Sequence, residues 1–358
     1  MKSPSISVVM VTCNVERFLA ESIESILGQT FREFEFIIVD FGSTDRTKAT
    51  ASSYAAKDSR VRLHEIPFCG LAEARNVGCS LALGRYIAIM DADDVSVPDR
   101  LRLEIDFMEK HPEVGLLGGV AECMNAAGKP LPIRAHDLPT EDHEIRSALA
   151  VGCPFCQPTV FFRRDAFVLV GGYRAVFAQA EDYDLWLRMA ERFQCAGLQQ
   201  VVLRYRIHPY QLSIHKQRQQ TLCKLAAQAS ASLRRNGKQD PLNSVKEITP
   251  AVLAELGVPK ARQQSQVASD CQVWIRNMCA AGEYSVALEA TLTMLQSDLQ
   301  CVERRQIADL YLIAARLYWR QKRLLSSFLA IGRAVMTRPV VSARPLKLML
   351  RWVRLSQH

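Results

Sequence analysis

Long apolar segments are missing from this 358-residue sequence. No stretch approaches the roughly 18 uninterrupted apolar residues of a membrane-spanning helix, so we expect none. The first residues, MKSPSISVVMVTCN, contain one lysine, a short apolar run and no small-residue cleavage site, and are not expected to form a signal peptide. Hydrophobic residues still make up 49% of the chain, which is enough for a buried core, and the length suggests two units.

Cysteine patterns that bind metals are also scarce. Of the eleven cysteines, only Cys153 and Cys156 form a C-x-x-C pair, and neither a second pair nor a neighbouring histidine pair accompanies them. A structural zinc site is therefore not favoured. Because nothing in the sequence directs the chain to an oxidising compartment, we expect reduced thiols and a cytoplasmic location.

Acidic residues become rare toward the C-terminus. Residues 1–215 hold 23 Lys and Arg against 28 Asp and Glu, whereas residues 216–358 hold 22 against 9. Residues 304–358 carry twelve basic side chains and a single acid, Asp309. The net charge of +8 therefore belongs to the C-terminal region, which we expect to bind an anionic surface.

Strand-like and helix-like patterns alternate through the first two hundred residues. The predicted strands are 6–11, 34–39, 61–64 and 86–90, and the predicted helices are 16–27, 45–56 and 72–83. This order predicts an α/β fold with a Rossmann-like, mostly parallel sheet between helices.

From about residue 217 the pattern is helical. Two predicted helix pairs, 274–295 and 307–335, turn at Ala281-Gly282 and Gln321-Lys322 and vaguely resemble tetratricopeptide repeats. Residues 236–242 and 249–259 are expected to be connections. We therefore predict two regions: an α/β domain over 1–215 and a basic, all-helical region over 216–358.

Polar residues follow the predicted strands, where α/β sheets bind their ligands. Asp91, Asp93 and Asp94 follow one strand, and three carboxylates so close together repel one another unless a cation or solvent intervenes. One interpretation is a solvated turn in which Asp94 or Ser96 caps the next helix. The other is a Mg²⁺ or Mn²⁺ site completed by water and a pyrophosphate.

Eight segments in a fixed order resemble the family 2 glycosyltransferases, which have the GT-A fold. They are ISVVMVTCN, SILGQTF, VDFGSTD, GLAEARNVG, YIAIMDADD, QPTVFFRR, GGY and AEDYDLW. The resemblance covers about residues 5–215. It implies an inverting, metal-dependent transfer of a sugar from a nucleotide-diphosphate donor to a hydroxyl of a glycan or lipid-linked acceptor, in cell-envelope polysaccharide or lipopolysaccharide biosynthesis.

The resemblance also implies residue roles on the donor side. Residues expected to bind the nucleotide sugar are Thr12, Asn14, Asp40, Phe41, Arg75, Asp91 and Asp93. Asp93 is the first expected metal ligand, with Asp94 and His208 beside it and His215 as the alternative histidine. The family pattern favours a UDP-sugar, but Phe41 replaces an acid that helps to read the base in some relatives, and phenylalanine cannot accept a base N–H.

On the acceptor side the resemblance makes Asp182 the general base. Glu181, Trp186, Gly172 and Tyr173 are expected nearby, and Gln157 stands where many relatives have histidine. Structural alternatives remain for several of the named side chains: Asp40 as a strand-end cap, Asp182 as an N-cap of a helix over 183–193, Trp186 as a core residue, and His208 and His215 as surface or packing histidines.

The basic C-terminal end has three interpretations. Arg344, Lys347, Arg351 and Arg354 recur among leucines at helical intervals, as in an interfacial helix on the cytoplasmic leaflet of the plasma membrane. The helix pairs could instead form a partner- or self-association surface. Nucleic acid is not expected as a partner, because no recognised binding motif accompanies the charge.

Two other functions remain open for the chain as a whole. A nucleotidyltransferase is disfavoured, because no glycine-rich, lysine-containing phosphate loop follows the first strand. A catalytically inactive scaffold with a partner-binding helical tail is the second alternative.

Overall fold

The computed structural model describes residues 4–134, 138–211 and 214–342. The chain forms two compact units that no single cut in the sequence separates. Met1–Arg206 and Cys223–Ile248 belong to the first unit, and Ile207–Leu222 and Thr249–His358 belong to the second. The domain boundary at residue 215 stays a prediction.

The first unit begins with four parallel strands joined by helices. In chain order these elements are β1 (Ile6–Thr12), α1 (Leu19–Leu27), β2 (Phe34–Phe41), α2 (Thr47–Ala55), β3 (Val61–Ile66), α3 (Leu71–Ser80) and β4 (Tyr86–Asp91). β1 pairs in parallel with β2 and β4, and β2 pairs in parallel with β3. All seven predicted elements of this half are present, each with bounds shifted by a few residues.

Five further strands and four helices complete the sheet. They are β5 (Val95–Ser96), α4 (Arg100–Lys110), β6 (Val114–Asn125), β7 (Pro130–Arg134), α5 (Asp142–Leu149), β8 (Phe161–Arg163), α6 (Arg164–Leu169), α7 (Glu181–Ala190) and β9 (Gln194–Ile207). Within the described residues the strand order is β3-β2-β1-β4-β8-β6-β9-β5, with β7 paired to β6. β8 runs antiparallel to β4 and β6. The α/β prediction is confirmed, with a mixed sheet.

The central strands are apolar because helices cover both faces of this part of the sheet. Every residue of β1 is buried, as is every residue of β2 except the last. A strand covered on both faces has no solvent side on which polar residues could alternate, so its sequence is a nearly continuous apolar run. This burial fixes the register and leaves the polar residues at the carboxyl ends of the strands.

The second unit is helical, as predicted. Its elements are part of α8 (Ile214–Arg235), α9 (Pro250–Glu255), α10 (Lys260–Ala281), α11 (Tyr284–Gln296), α12 (Arg304–Arg320) and α13 (Leu324–Thr337). Both predicted turns are present, with positive φ at Gly282 and Lys322. None of the described helices is long and apolar enough to cross a membrane.

One predicted connection is wrong in part, since α9 lies within 249–259. The Thr249 hydroxyl accepts the N–H of Val252, and Pro250 occupies the first turn, where its missing N–H costs nothing. The proline is therefore a helix start rather than a break. Residues 343–358, which contain most of the predicted interfacial helix, and the side chain of His215 lie outside the described part of the chain.

Candidate functional site

The acidic turn after β4 is held from beneath by a buried arginine. Asp94 is completely buried, and its Oδ1 accepts the backbone N–H of Arg206 at 2.7 Å. The Arg206 Nε donates to the carbonyl of Asp93, also at 2.7 Å. The Asp94 end of the turn is thus packed into the interior, while Asp91 and Asp93 are partly exposed.

Neither Asp94 nor Ser96 caps the helix that follows. The N-cap residue of α4 is Asp99, and its side chain makes no capping hydrogen bond. The capping interpretation of the acidic turn is therefore wrong. Asp94 instead uses its carboxylate to fix the β9 backbone beneath the turn.

A second group of contacts explains the segment SILGQTF. The amide nitrogen of Gln29 donates to the carbonyl of Val97 at 2.6 Å, and its oxygen accepts the N–H of Leu101 at 3.0 Å. The hydroxyl of Ser22, which precedes this segment in α1, donates to the carbonyl of Asp94 at 2.6 Å. These buried side chains satisfy backbone groups on both sides of β5, so the end of α1 and the residues after it position the acidic turn.

Arg75 joins the acidic turn to the start of α7. Its guanidinium, buried on α3, forms ion pairs with Glu181 and, at 3.2 Å, with Asp91. Burial alone would lower the pKa of Arg75, but the two carboxylates raise it above its ordinary value. The side chain expected to face a diphosphate thus has both terminal nitrogens on carboxylates, and its role at the donor stays a prediction.

Several acids of the site influence one another. Burial raises the pKa of Asp91, Arg75 opposes the rise, and the charges of Asp93 and Asp182 add to it. Burial raises the pKa of Asp94 well above its ordinary value, and the negative charges of Asp93 and Asp91 add to the rise. Carboxylates gathered so closely favour a cation or a proton between them.

Asp182 is the more exposed member of the pair at the start of α7. The N-cap residue of this helix is Ala180, and Asp182 is its second residue, so the capping interpretation is wrong. The carboxylate accepts the N–H of Tyr183 at 2.7 Å and lies in the first turn, where the helix dipole stabilises negative charge. Glu181 beside it is buried, and burial raises the pKa of Glu181 against the opposing charge of Arg75.

Three predicted donor residues lie together at the ends of β1 and β2. The hydroxyl of Thr12 donates to Asp40 at 3.2 Å, and Asp40 also accepts the N–H of Ser43 at 3.1 Å. The amide oxygen of Asn14 accepts the N–H of Thr44 at 2.8 Å. Asp40 therefore does cap the turn after β2, which is the structural alternative for this residue.

Phe41 forms an aromatic pair that the sequence did not reveal. Its ring stacks on Phe68, with 6.3 Å between centroids and 27° between planes. Phe68, in the loop after β3, is largely exposed. A loop phenylalanine carries no periodic signal, so only the fold identifies it as a neighbour of Phe41.

The predicted acceptor residues are mostly buried. Gly172 has φ +68°, and a Cβ there would lie 2.7 Å from the side-chain oxygen of Asn76, which accepts the N–H of Tyr173. The hydroxyl of Tyr173 accepts a hydrogen bond from Gln157 at 3.1 Å. These contacts tie the GGY segment to α3 and to the loop before β8.

Trp186 is fully buried, and its ring lies 5.8 Å from Phe162 and 6.4 Å from Tyr173 between centroids. A side chain with no exposed surface cannot stack on an acceptor sugar. The alternative of a core tryptophan describes this residue.

His208 belongs to the second unit, within Ile207–Leu222. Its Nδ1 accepts the N–H of Tyr210 at 3.2 Å. Its predicted place as a metal ligand stays a prediction.

The acidic turn supplies some, but not all, of the ligands that a hard divalent cation needs. No group of three His, Cys, Asp or Glu in the described ranges could hold an ion alone. The Oδ2 of Asp94 is, however, buried and has no hydrogen-bond partner among these residues. Mg²⁺ and Mn²⁺ commonly take one or two carboxylates and complete their shell with water and substrate phosphates, and the residues present fit that arrangement.

Arg206 and Gln29, like Phe68, are site-forming residues that sequence reasoning missed. The sequence shows only that Arg206 is a charged residue within a strand, and the fold shows that its side chain is buried. A charge at an inward position of a strand needs a specific partner, and here the partners are the groups of the acidic turn.

The comparisons agree with this fold. A model of the family described as Glycosyl transferase family 2 matches residues 7–169. The mannosyltransferase PcManGT from Pyrobaculum calidifontis, solved in complex with GDP-Man and Mn2+, is similar in structure, with a TM-score of 0.50 at 16% identity. The match covers 96% of this chain and 88% of that one. This likeness supports the predicted GT-A fold.

Two curated relatives extend the match in sequence. The chain is 39% identical over 209 residues to EpsE of Bacillus subtilis, and this match covers 57% of this chain and 73% of that protein. It is 31% identical over 208 residues to the O-antigen biosynthesis glycosyltransferase WbnJ of Escherichia coli, covering 57% and 80%. The chain therefore belongs to glycosyltransferase family 2.

Proposed function

We propose that this chain is an inverting, metal-dependent glycosyltransferase that moves a sugar from a nucleotide-diphosphate donor to a hydroxyl of a glycan or lipid-linked acceptor. The observation that carries the proposal is the double ion pair of Arg75, which links Asp91 of the acidic turn to Glu181. This link supports the proposal because it connects the acidic turn to the start of α7, where the proposed base Asp182 lies.

The comparisons support the donor and the pathway only through other proteins. PcManGT was solved with GDP-Man and Mn2+, and WbnJ is named for O-antigen biosynthesis. By analogy we propose a nucleotide sugar as donor and cell-envelope polysaccharide or lipopolysaccharide as the product class. The base is left to experiment, because Phe41 and Phe68 offer ring faces where a uridine-reading acid is expected.

Asp93 and Asp94 are the proposed ligands of Mn²⁺ or Mg²⁺, with His208 as a further expected ligand. The bound ion would stabilise the negative charge that develops on the departing nucleotide diphosphate. Asp91, held by Arg75, is proposed to contact the donor beside these ligands.

Asp182 is the proposed general base. As the acceptor oxygen attacks the anomeric carbon, the Asp182 carboxylate takes the hydroxyl proton, and the bond from that carbon to the diphosphate oxygen breaks. Direct displacement inverts the configuration. The neighbouring Glu181 is paired with Arg75 and buried, which leaves Asp182 as the partly exposed carboxylate of the pair.

We further propose a peripheral contact with the inner face of the plasma membrane through the basic tail, residues 340–358. Nearly all of that segment lies outside the described residues. Its charge supports the idea, since Arg344, Lys347, Arg351 and Arg354 are accompanied by no acid.

The first test replaces the proposed base. Asp182→Asn should retain donor binding and lose sugar transfer by about 100-fold or more, because the amide cannot take the proton. Asp165→Asn is the matched control: that aspartate also lies in the first turn of a helix and accepts the next residue's N–H, at 2.8 Å. The control should transfer sugar at the wild-type rate. Transfer by Asp182→Asn at a similar rate would contradict the assignment.

The donor is identified by a hydrolysis and transfer screen with UDP-, GDP- and dTDP-sugars, each with Mn²⁺, Mg²⁺ or a chelator. Metal-stimulated turnover of one donor class is expected. Release of pyrophosphate from a nucleoside triphosphate and a sugar phosphate would favour a nucleotidyltransferase instead. Failure to bind any nucleotide sugar by calorimetry would favour the inactive scaffold.

A further inference from the structure

Helix α13 presents its large apolar side chains to solvent and its small ones to the protein. Ser327, Ala330 and Ala334 are buried, and the hydroxyl of Ser327 donates to the Ala315 carbonyl of α12 at 2.8 Å. An amphipathic helix of a water-soluble domain normally buries its large apolar residues. Here the packing against α12 uses the opposite face.

The outward face is a continuous apolar stripe. Leu325, Leu329 and Met336 are 75%, 61% and 77% exposed, and their spacing of four and seven residues places them on one side of the helix. Leu324 and Phe328, each about half exposed, widen the same face. Clustered exposure of large side chains along one helix is typical of a surface that binds something apolar.

Basic residues border this stripe. Lys322 and Arg333 are exposed. Arg333 falls beside Leu329 and Met336 on a helical projection, and Lys322 lies in the turn just before the helix. Within 304–342 the sequence has eight basic residues and one acid, Asp309. The surface therefore combines an apolar stripe with a positive border.

We propose that the outward face of α13 docks on the surface of an anionic lipid bilayer. Leu325, Leu329 and Met336 enter the region between headgroups and acyl chains, and Lys322 and Arg333 contact the anionic headgroups. The docking surface lies within the second unit and is separate from the predicted interfacial helix of 343–358.

The positive charge of this face favours an anionic bilayer over two other partners, a second copy of the face and the chain's own C-terminal residues. A second copy of the same face would bring two positive borders together, and like charges across an interface oppose association. The chain's own residues 343–358 carry four basic residues and no acid, so they are poorly matched in charge to this face. An anionic bilayer is matched in both respects, since it offers apolar depth and negative charge.

The test is flotation of the full-length chain with vesicles of phosphatidylcholine alone or mixed with phosphatidylglycerol. The triple variant Leu325→Ser, Leu329→Ser, Met336→Ser should lose binding to the anionic vesicles by about tenfold or more. The control variant Val151→Ser, Val168→Ser, Val273→Ser removes three exposed apolar residues elsewhere on the chain, and should bind as the wild type does. All of the replaced side chains are exposed, and circular dichroism checks that each variant is folded.

Two further variants separate the border and the tail. Lys322→Gln with Arg333→Gln should weaken binding at low salt and much less at high salt. The variant Lys347→Gln, Arg351→Gln, Arg354→Gln should still bind the anionic vesicles through α13. The proposal is overturned if the wild type ignores anionic vesicles, if the α13 variant binds them normally, or if its only effect is to turn a dimer into a monomer in light scattering.

Discussion

Asp94 is the residue at which stability and the proposed chemistry conflict. Its carboxylate is buried next to other acids, and its Oδ2 has no hydrogen-bond partner in the described part of the chain. A buried carboxylate with an unsatisfied oxygen destabilises a fold by more than its single hydrogen bond to Arg206 returns. A loss of folding stability of this kind is expected at a functional site where a bound cation would offset it.

Replacing this carboxylate should therefore stabilise the protein when metal is absent. We expect Asp94→Asn to raise the free energy of unfolding by about 1 to 2 kcal/mol in the presence of a chelator, measured by urea denaturation near neutral pH. The same variant should lose most of the stabilisation that Mn²⁺ gives to the wild type. Asp106→Asn, which removes an exposed ion pair with Arg102, should change neither quantity measurably.

The sign of the pH dependence follows from the raised pKa of Asp94. The native state holds this proton at a higher pH than the unfolded chain, whose carboxyl titrates near pH 4. The stabilising effect of that proton is complete below about pH 4 and is lost as the pH rises through the raised value. The advantage of the variant should therefore appear only above about pH 4. A less stable variant at neutral pH, with an unchanged response to Mn²⁺, would contradict this account of Asp94.

At the scale of elements, the site depends on how closely α3 lies on the sheet. Arg75 reaches Asp91 and Glu181 from this helix, one turn before Gly78. A Cβ built on Gly78 would lie 2.5 Å from a methyl of Val9 in β1. The absence of a side chain there lets the helix approach the strand, and this approach positions Arg75.

Gly78→Ala should separate α3 from β1 and destabilise the protein by about 1 to 3 kcal/mol, because overpacking forces the backbone to shift. Gly332→Ala is the matched control: it lies inside helix α13 with no atom within 4 Å of the added methyl, and should stabilise by about 0.5 to 1 kcal/mol. Thermal unfolding measures both. If both substitutions shift the melting temperature in the same direction, close packing at Gly78 is not what requires glycine there.

The strands and the order of the acids could be predicted because they depend on local patterns. The apolar runs of β1, β2 and β4 identify the strands, and parallel pairing then places Thr12 beside Asp40 and Asp91 beside Val11. The partners of Arg75 could not be predicted, because Glu181 lies 106 residues away along the chain. The burial of Trp186 is of the same kind, since a helical pattern does not say which side faces a ligand.

At the scale of the whole molecule, the chain leaves the first unit and returns to it. Residues 223–248 belong with the α/β part although 207–222 do not. Asp240 explains part of this return. Its carboxylate accepts hydrogen bonds from Arg174 at 2.8 Å, from Arg234 at 2.6 Å and from Ser230 at 2.7 Å. Arg174 also pairs with Asp184 of α7, so Asp240 connects the returning segment to the helix that carries Asp182.

This connection should make the stability of the first unit depend on pH through Asp240. Burial would raise the pKa of this carboxyl, but hydrogen bonds from Ser230 and Arg174 outweigh it and hold the pKa well below the usual range. A lowered pKa contributes stability that is present above the unfolded value, near pH 4, and is lost as the pH falls below it. The side chain is only 6% exposed, so its loss leaves two arginines without their shared partner.

Asp240→Asn should therefore lower the free energy of unfolding by about 1 to 3 kcal/mol near neutral pH, and the difference from the wild type should shrink as the pH falls below about 4. Asp298→Asn, which breaks a largely exposed pair with Lys260 in the second unit, should cost much less than Asp240→Asn. Urea denaturation at several pH values measures both differences. A cost for Asp240→Asn no larger than that of the exposed pair would mean that hydrophobic packing alone returns residues 223–248 to the first unit. The remaining ion pairs of Arg174 with Asp184 and of Arg234 with Glu191 would then be enough to satisfy the two arginines.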